Sequence, residues 1–229
     1  MNVSAADNFR VMLYDASFPP YFFDKEDPRT GIVKDLFSAF GKETGDTFEY
    51  VRVPFKRALH QFDSGQIDIE PMSNPAWRGD SAVLGEYSIP MGVSELIVLF
   101  NADKYLPIES PKDLTGRTIG VVMGYYYPSF APYFEDGSIK PHVLPSDAKL
   151  IQLLEAGRLD QAIMNKDFAL YQIKEKRLHG KLKLSRPCSA LDMMVRFHPS
   201  KKDAIPRFNK AIRKLLDDGT IKRIYDQYR

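Results

Sequence analysis

Cysteine is almost missing from this chain. Cys188 stands alone among 229 residues, which excludes an intrachain disulfide and any multi-cysteine metal site. Its surroundings suit a quiet small residue in or near a strand better than a reactive thiol. Long apolar runs are missing too: none approaches the roughly 20 residues that a membrane span requires. Charge of one sign is scarce, with a formal net charge of +2 and lysines and arginines spread rather than striped, so no nucleic-acid partner is expected. The sequence contains no G-x-S-x-G, H-E-x-x-H, G-x-x-x-x-G-K-[ST] or G-x-G-x-x-G, and the common nucleophile, zinc and phosphate signatures go with them. His60, His142, His179 and His198 are isolated, and none shares a short segment with a second metal-ligating side chain. No cofactor is expected. Internal repeats and low-complexity segments are absent, and residues 1–7 lack the basic region and apolar core of a secretory signal.

What remains is an ordinary globular composition, 44% hydrophobic and 27% charged, in a chain long enough for one large or two modest domains. Helical and strand patterns alternate, which predicts an α/β architecture with mainly parallel sheets. Residues 9–14 alternate as a strand, Gly31 opens an amphipathic run to about Gly45, and residues 48–53 are strand again. Pro54 starts a helix carrying Phe55, Ala58, Leu59 and Phe62 at i, i+3, i+4 and i+7, and Gly65 stops it. Residues 67–70 form a short buried strand and residues 94–100 a long apolar one. Ser110-Pro111-Lys112-Asp113 is a capping box ahead of a strand over 118–123. Ser146 caps a helix that Gly157 ends, residues 159–164 are strand, and Asn165 begins the next helix. An apolar strand over 191–197 precedes two helices broken at Asp218-Gly219. Pattern alone places a single domain boundary near residue 105.

In open α/β sheets ligands bind beyond the carboxyl ends of the strands, where loops and helix N-termini present backbone N–H groups. The loops after Tyr14, Val53, Glu70, Met123 and Met164 therefore nominate residues 15–18, Phe55, residues 71–78, residues 124–127 and Asn165. Arg78 is the most pointed of these. Its planar fork of donors suits a carboxylate, although a lone arginine is more often a solvated surface residue.

Arg78 is not alone. Phe18-Pro19-Pro20-Tyr21-Phe22, Gly31-Ile32-Val33-Lys34-Asp35-Leu36, Ser64-Gly65-Gln66-Ile67-Asp68, Arg78, Tyr87-Ser88-Ile89-Pro90, Asp113-Leu114-Thr115-Gly116-Arg117-Thr118-Ile119-Gly120-Val121, Glu155-Ala156-Gly157-Arg158-Leu159-Asp160 and Asp218-Gly219-Thr220-Ile221 follow one another in order. In this the chain resembles the type II periplasmic substrate-binding proteins, specifically the family 3 extracellular solute-binding proteins that deliver polar amino acids to ABC importers. The resemblance implies two lobes, residues 1–94 with 192–229 and residues 95–191, joined by two crossover strands and closing on a small ligand in the cleft between them. It implies a monomeric, non-enzymatic subunit that partners a membrane permease, lies in the periplasm or otherwise outside the cytoplasm, and has had its signal peptide removed. A native cytoplasmic N-terminus is the alternative for residues 1–7.

The resemblance also assigns roles. Arg78 takes the ligand carboxylate bidentately, Ser73 is a hydroxyl and N–H donor beside it, and Phe18 and Phe55 are aromatic walls, with ordinary core packing as the alternative for both. Three departures bear on the ligand. Tyr125-Tyr126-Tyr127 stand after Gly124 where a threonine is usual, so Tyr125 and Tyr126 offer stacking and phenol hydrogen bonds instead of a hydroxyl cradle, with a plain surface turn as the alternative. Asn165 stands where an aspartate meets the ligand ammonium, and it is also a good helix cap. Pro71 replaces a serine. An ammonium, if the ligand has one, would be met by Asp167, Asp15 or Glu70, since it is costly to bury unpaired. Two rival readings stay open: the ligand-sensing domain of a membrane receptor kinase or cyclase, and a cleft dehydratase or lyase using Glu70 or Asp15 as acid or base.

Overall fold

The computed structural model describes residues 6–15 and 17–228, so the first five residues of the segment 1–7 discussed above lie outside it. The chain divides into two compact units, with the divisions falling between Val93 and Ser94 and between Leu191 and Asp192.

Unit 1 contains β1 (Asn8–Tyr14), α1 (Ile32–Thr44), β2 (Thr47–Val53), α2 (Phe55–Asp63), β3 (Ile69–Ser73) and β4 (Glu86–Tyr87). It enters β5 (Gly92–Asn101), where the chain passes into unit 2. Unit 2 continues with β6 (Thr118–Val122), α3 (Ala131–Glu135), β7 (Lys140–Leu144), α4 (Asp147–Glu155), β8 (Gln161–Asn165), α5 (Lys166–Glu175) and β9 (Leu182–Leu184). The chain re-enters unit 1 within β10 (Ser189–Phe197) and ends in α6 (Ile205–Asp217) and α7 (Thr220–Asp226).

In unit 1 the sheet order is β2-β1-β3-β10, with β4 paired to β10. β1 runs parallel to β2, from Asn8 opposite Thr47 to Tyr14 opposite Val53, and parallel to β3, whereas β10 is antiparallel to both β3 and β4. Unit 2 is built alike: β6 is parallel to β7 and β8, and β5 is antiparallel to β8 and β9. The α/β class stands, but each sheet is mixed where a mainly parallel one was expected. The physical reason is connectivity. β5 and β10 carry the chain out of and back into unit 1, and a strand that arrives that way needs no right-handed crossover helix and can pair antiparallel.

Helix periodicity decides which faces are buried. α1 buries Ile32, Val33, Leu36, Phe37 and Phe40, and α6 buries Phe208, Ala211, Ile212 and Leu215 at i, i+3, i+4 and i+7. Both stripes meet the sheet in one core, where the Phe208 ring packs edge-on against Phe197 at 4.9 Å and against Phe9 at 5.7 Å. Each large apolar side chain so buried contributes about 1.5 to 3 kcal/mol. Unit 2 has its own core around Val98, Phe100, Leu114, Ile119, Phe130 and Ile163. Its edge strand β7 is largely exposed and carries Pro141 and Lys140, residues that discourage pairing with another chain. Among the described residues no helix is long and apolar enough to cross a membrane.

The start of α1 depends on the end of the chain. The Tyr228 hydroxyl accepts from the Gly31 N–H at 3.0 Å and donates to Asp35 at 2.6 Å. Gly31 holds φ at 87°, and a Cβ there would sit 2.6 Å from the Tyr21 carbonyl oxygen. Only glycine meets both demands. Gly31→Ala is therefore expected to destabilise the protein by about 1 to 3 kcal/mol, read as a lower midpoint in urea at unchanged slope. An unaltered midpoint would show that this turn carries no such constraint.

Candidate functional site

Pro71 shapes the end of β3. Glu70 lies opposite Arg196 and Ser73 opposite Met194, so Pro71 and Met72 together face the single residue Val195. This is a bulge, the place in a paired strand where a residue without an N–H is tolerated. The Val195 N–H opposite it donates instead to Ser88 Oγ at 2.9 Å. β3 thereby runs to Ser73, three residues past the end expected from the sequence, and Ser73 is fully buried in strand rather than set in a loop. Asn74 caps the short 3-10 turn over Pro75–Trp77, and this turn delivers Arg78.

Arg78 is among the least exposed charged side chains of unit 1, with 11% of its surface accessible. Its Nε donates to Glu70 Oε2 at 3.1 Å, its Nη2 donates to Glu70 Oε1, and its Nη1 donates to the Trp77 carbonyl at 2.8 Å. Glu70 is fully buried, and its Oε2 also accepts from Arg196 Nη1 at 2.9 Å. Arg196 is itself fully buried. It donates through Nε to the Leu84 carbonyl at 2.9 Å and through Nη2 to the Val83 carbonyl, and it lies 4.0 Å from the centre of the Phe62 ring. One carboxylate thus holds two guanidinium groups. The pair Arg78 and Glu70 joins β3 to the turn beyond it, while Arg196 holds the loop ahead of β4 against β10. Gly85 makes room for this: a Cβ there would meet Arg196 Nε at 2.8 Å.

Aromatic groups close round the cluster. The Tyr14 ring meets Phe55 edge-on at 4.9 Å, and the Arg78 guanidinium stands 5.4 Å from the centre of the Phe55 ring. Burial first, and the Glu70 charge second, push the Tyr14 hydroxyl well above its ordinary pKa, so it stays neutral, with Arg78 acting the other way. Burial opposes the charge on Arg78, but Glu70 more than offsets this and its pKa is raised. Beside the cluster, the hydroxyls of Ser73 and Tyr87 are close enough to influence each other, yet neither completes a hydrogen bond among the described residues. Buried hydroxyls without a partner are uncommon in folded proteins.

The other nominated residues of unit 1 fall differently. Phe18 is half-buried, stacks on Tyr21 at 5.4 Å and packs against the core. Asp15 is exposed at the end of β1, where its N–H donates to the Val53 carbonyl at 3.1 Å. Glu70, weighed above as a partner for a ligand ammonium and as a catalytic acid or base, has both oxygens engaged by guanidinium groups. The geometry makes it an internal counter-ion.

In unit 2 the three tyrosines divide. Tyr127 is buried and its hydroxyl accepts from the Val122 N–H at 2.9 Å, whereas Tyr125 and Tyr126 are 45% and 58% exposed. Asn165 caps α5, accepting from the Phe168 N–H at 3.0 Å, and its amide donates to Ser94 Oγ at 3.2 Å. Asp167 is half-buried in the first turn of α5. Asp147, at the start of α4, was not singled out in the sequence. It is buried and its pKa is pushed up to about 6, chiefly by burial, against a smaller opposing effect of a hydrogen bond with Tyr125.

Arg196 and Tyr14 also escaped sequence reasoning. A signal for Arg196 was present: Glu70 in β3 and Arg196 in β10 are charges of opposite sign among apolar strand residues, and a charge inside a buried strand needs a partner.

The fold is a pair of α/β units with the chain passing twice between them. The model of the bacterial extracellular solute-binding proteins, family 3, matches residues 11–229, and the chain belongs to that family. It is similar to the L-cystine-binding protein TcyJ of Escherichia coli (strain K12), 21% identical over 216 residues, covering 93% of this chain and 80% of that protein. Among solved structures it is similar to one from work on glutathione import through GshT and the cystine ABC importer TcyBC of Streptococcus mutans, with a TM-score of 0.80, 20% identity, and coverage of 98% of this chain and 95% of the other. A histidine kinase sensor domain matches with a TM-score of 0.78 and 20% identity over 96% and 95% of the two chains. An ancestral amino-acid-binding protein described as a precursor of cyclohexadienyl dehydratase matches at 0.75 and 20% identity over 96% and 94%.

Asp147 gives this region a pH dependence whose sign can be worked out. A carboxyl with its folded pKa near 6 and an ordinary value of 3.8 holds its proton more tightly when folded, so it contributes stability that is fully present below about 3.8 and lost as the pH rises through 6. Lowering the pH from 7 to 4.5 should raise this residue's contribution to stability by roughly 2 kcal/mol. In Asp147→Asn that contribution should vanish and the protein should be more stable at pH 7. Denaturant melts of the two proteins with parallel pH profiles would contradict it.

Proposed function

We propose that this chain is the extracytoplasmic solute-binding component of an ABC importer, that it is not an enzyme, and that it takes a small polar ligand bearing a carboxylate, an amino acid or a related compound. Family membership supports the class, and the names of the relatives support the ligand type. The observation that carries the site is the sheltered Arg78 guanidinium of unit 1 with the buried hydroxyls of Ser73 and Tyr87 near it, neither of which completes a hydrogen bond among the described residues. Hydrogen-bonding groups left unsatisfied next to a sheltered cation suit an anionic group that accepts several donors at once. Phe55 and Tyr14 shelter the cation from water, which strengthens its pull on such a group. Tyr125, Tyr126 and Asn165 are assigned to the same ligand, Phe18 to its apolar part and Asp15 to the rim. A membrane permease is the partner this role requires.

Arg78→Ala is expected to weaken binding of an amino-acid ligand on the order of a hundredfold or more, since breaking a buried charge pair costs about 3 to 5 kcal/mol. Arg78→Lys should be nearly as harmful, because an ammonium cannot supply two parallel donors. The measurement is calorimetric titration against the common L-amino acids and L-cystine, after checking that Glu70, still held by Arg196, leaves the variants folded. Affinity equal to that of the wild type in Arg78→Ala would remove Arg78 from the site.

A further inference from the structure

Arg78 meets any ligand with the Nε and Nη2 edge of its fork already taken by Glu70. Of its five N–H groups, those on Nε and one on Nη2 go to Glu70 and one on Nη1 goes to the Trp77 carbonyl. Glu70 occupies the arginine in the bidentate manner in which an incoming carboxylate would. It is not held by Arg78 alone, because Arg196 Nη1 donates to the same carboxylate from the side of β10. Were Arg196 absent, Arg78 and Glu70 would cancel and the cluster would repel no charge and attract none. With Arg196 present, two guanidinium groups and one carboxylate leave one net positive charge, enough to pair with one further carboxylate.

We propose that Glu70 is the residue that sets how tightly this site takes an anionic group: it is a resident carboxylate on Arg78, exchanged there for the ligand's carboxylate while Arg196 retains it. This rests on the reading of Arg78 as the ligand's anchor. The exchange is feasible because Glu70 is never left buried and unpaired, the condition that makes losing a partner costly. It also weakens every carboxylate ligand by the contact that Glu70 gives up, so a ligand must gain its affinity from further contacts as well. Glu70 thereby acts as built-in competition against small anions that offer a carboxylate and little else.

The test compares amino acids with the amines that lack only their carboxylate: L-arginine with agmatine, L-histidine with histamine and L-cystine with cystamine, titrated against the wild type, Glu70→Gln and Arg78→Ala. Glutamine keeps the shape and removes the charge. The expected result is that Glu70→Gln binds at least one of the amino acids about tenfold or more tightly than the wild type does, with no comparable gain for its amine. The double variant Glu70→Gln/Arg196→Met removes both innermost charges together and leaves neither unpaired; it should show the same gain should Glu70→Gln alone fail to fold. Unchanged or weaker amino-acid binding in the folded variants, or an equal gain for the amines, overturns the proposal. Amino-acid binding that persists undiminished in Arg78→Ala instead overturns the anchor reading, whatever the Glu70 variants do. If none of the proteins takes any of the amino acids, both readings fall.

Discussion

Two arginines and one glutamate, with Glu70 and Arg196 fully buried and Arg78 mostly so, organise unit 1 beyond its hydrophobic core. Glu70 comes from β3, Arg196 from β10 and Arg78 from the turn after β3, so a single carboxylate links a strand, its antiparallel neighbour and the connection between them. The desolvation of three charges is large, and only close, complete pairing makes it tolerable. Completeness is visible here. Every nitrogen of Arg196 has an acceptor, and the Val83 and Leu84 carbonyls that serve it belong to the loop that would otherwise hang beyond Arg78. The bulge at Pro71, the open space at Gly85 and the ring of Phe62 beneath Arg196 are local consequences of seating this cluster.

Unit 2 holds no such cluster of buried opposite charges among the described residues. Tyr127 turns its hydroxyl inward onto the backbone of β6, Asn165 turns its amide onto the start of α5, and Asp147 is buried without a cation. A carboxyl in that position is held back from ionising, whereas Glu70 is surrounded by positive charge. The two units therefore differ in chemistry: a sheltered guanidinium near phenol and serine hydroxyls in one, exposed phenol rings and a committed amide in the other. The family and the fold define a binder of small solutes.

Much of the architecture could be read from the sequence because the signals are short-range. The apolar spacing of Phe55, Ala58, Leu59 and Phe62, the caps at Ser146 and Asn165 and the break at Gly219 concern residues within a few positions of one another. The helices and strands they announce are all present. The elements not anticipated, β4, β7, β9 and α3, have at most five residues each and lack either a cap or a strong period, so local patterning had little to act on. The mixed character of the sheets follows from the path of the whole chain, which no window reveals.

The candidate site shows the same boundary. Sequence alone determined the family, the order of the elements and the presence of an arginine, a serine and aromatic residues at strand ends. Tertiary structure decided what the arginine touches. Arg78 and Glu70 are eight positions apart, but Arg196 is 126 positions from Glu70, and its charge reaches them only because β10 returns to lie beside β3. Periodicity and capping act along the chain, where residue order determines distance. Charge pairing acts through space, where the packed sheet determines it.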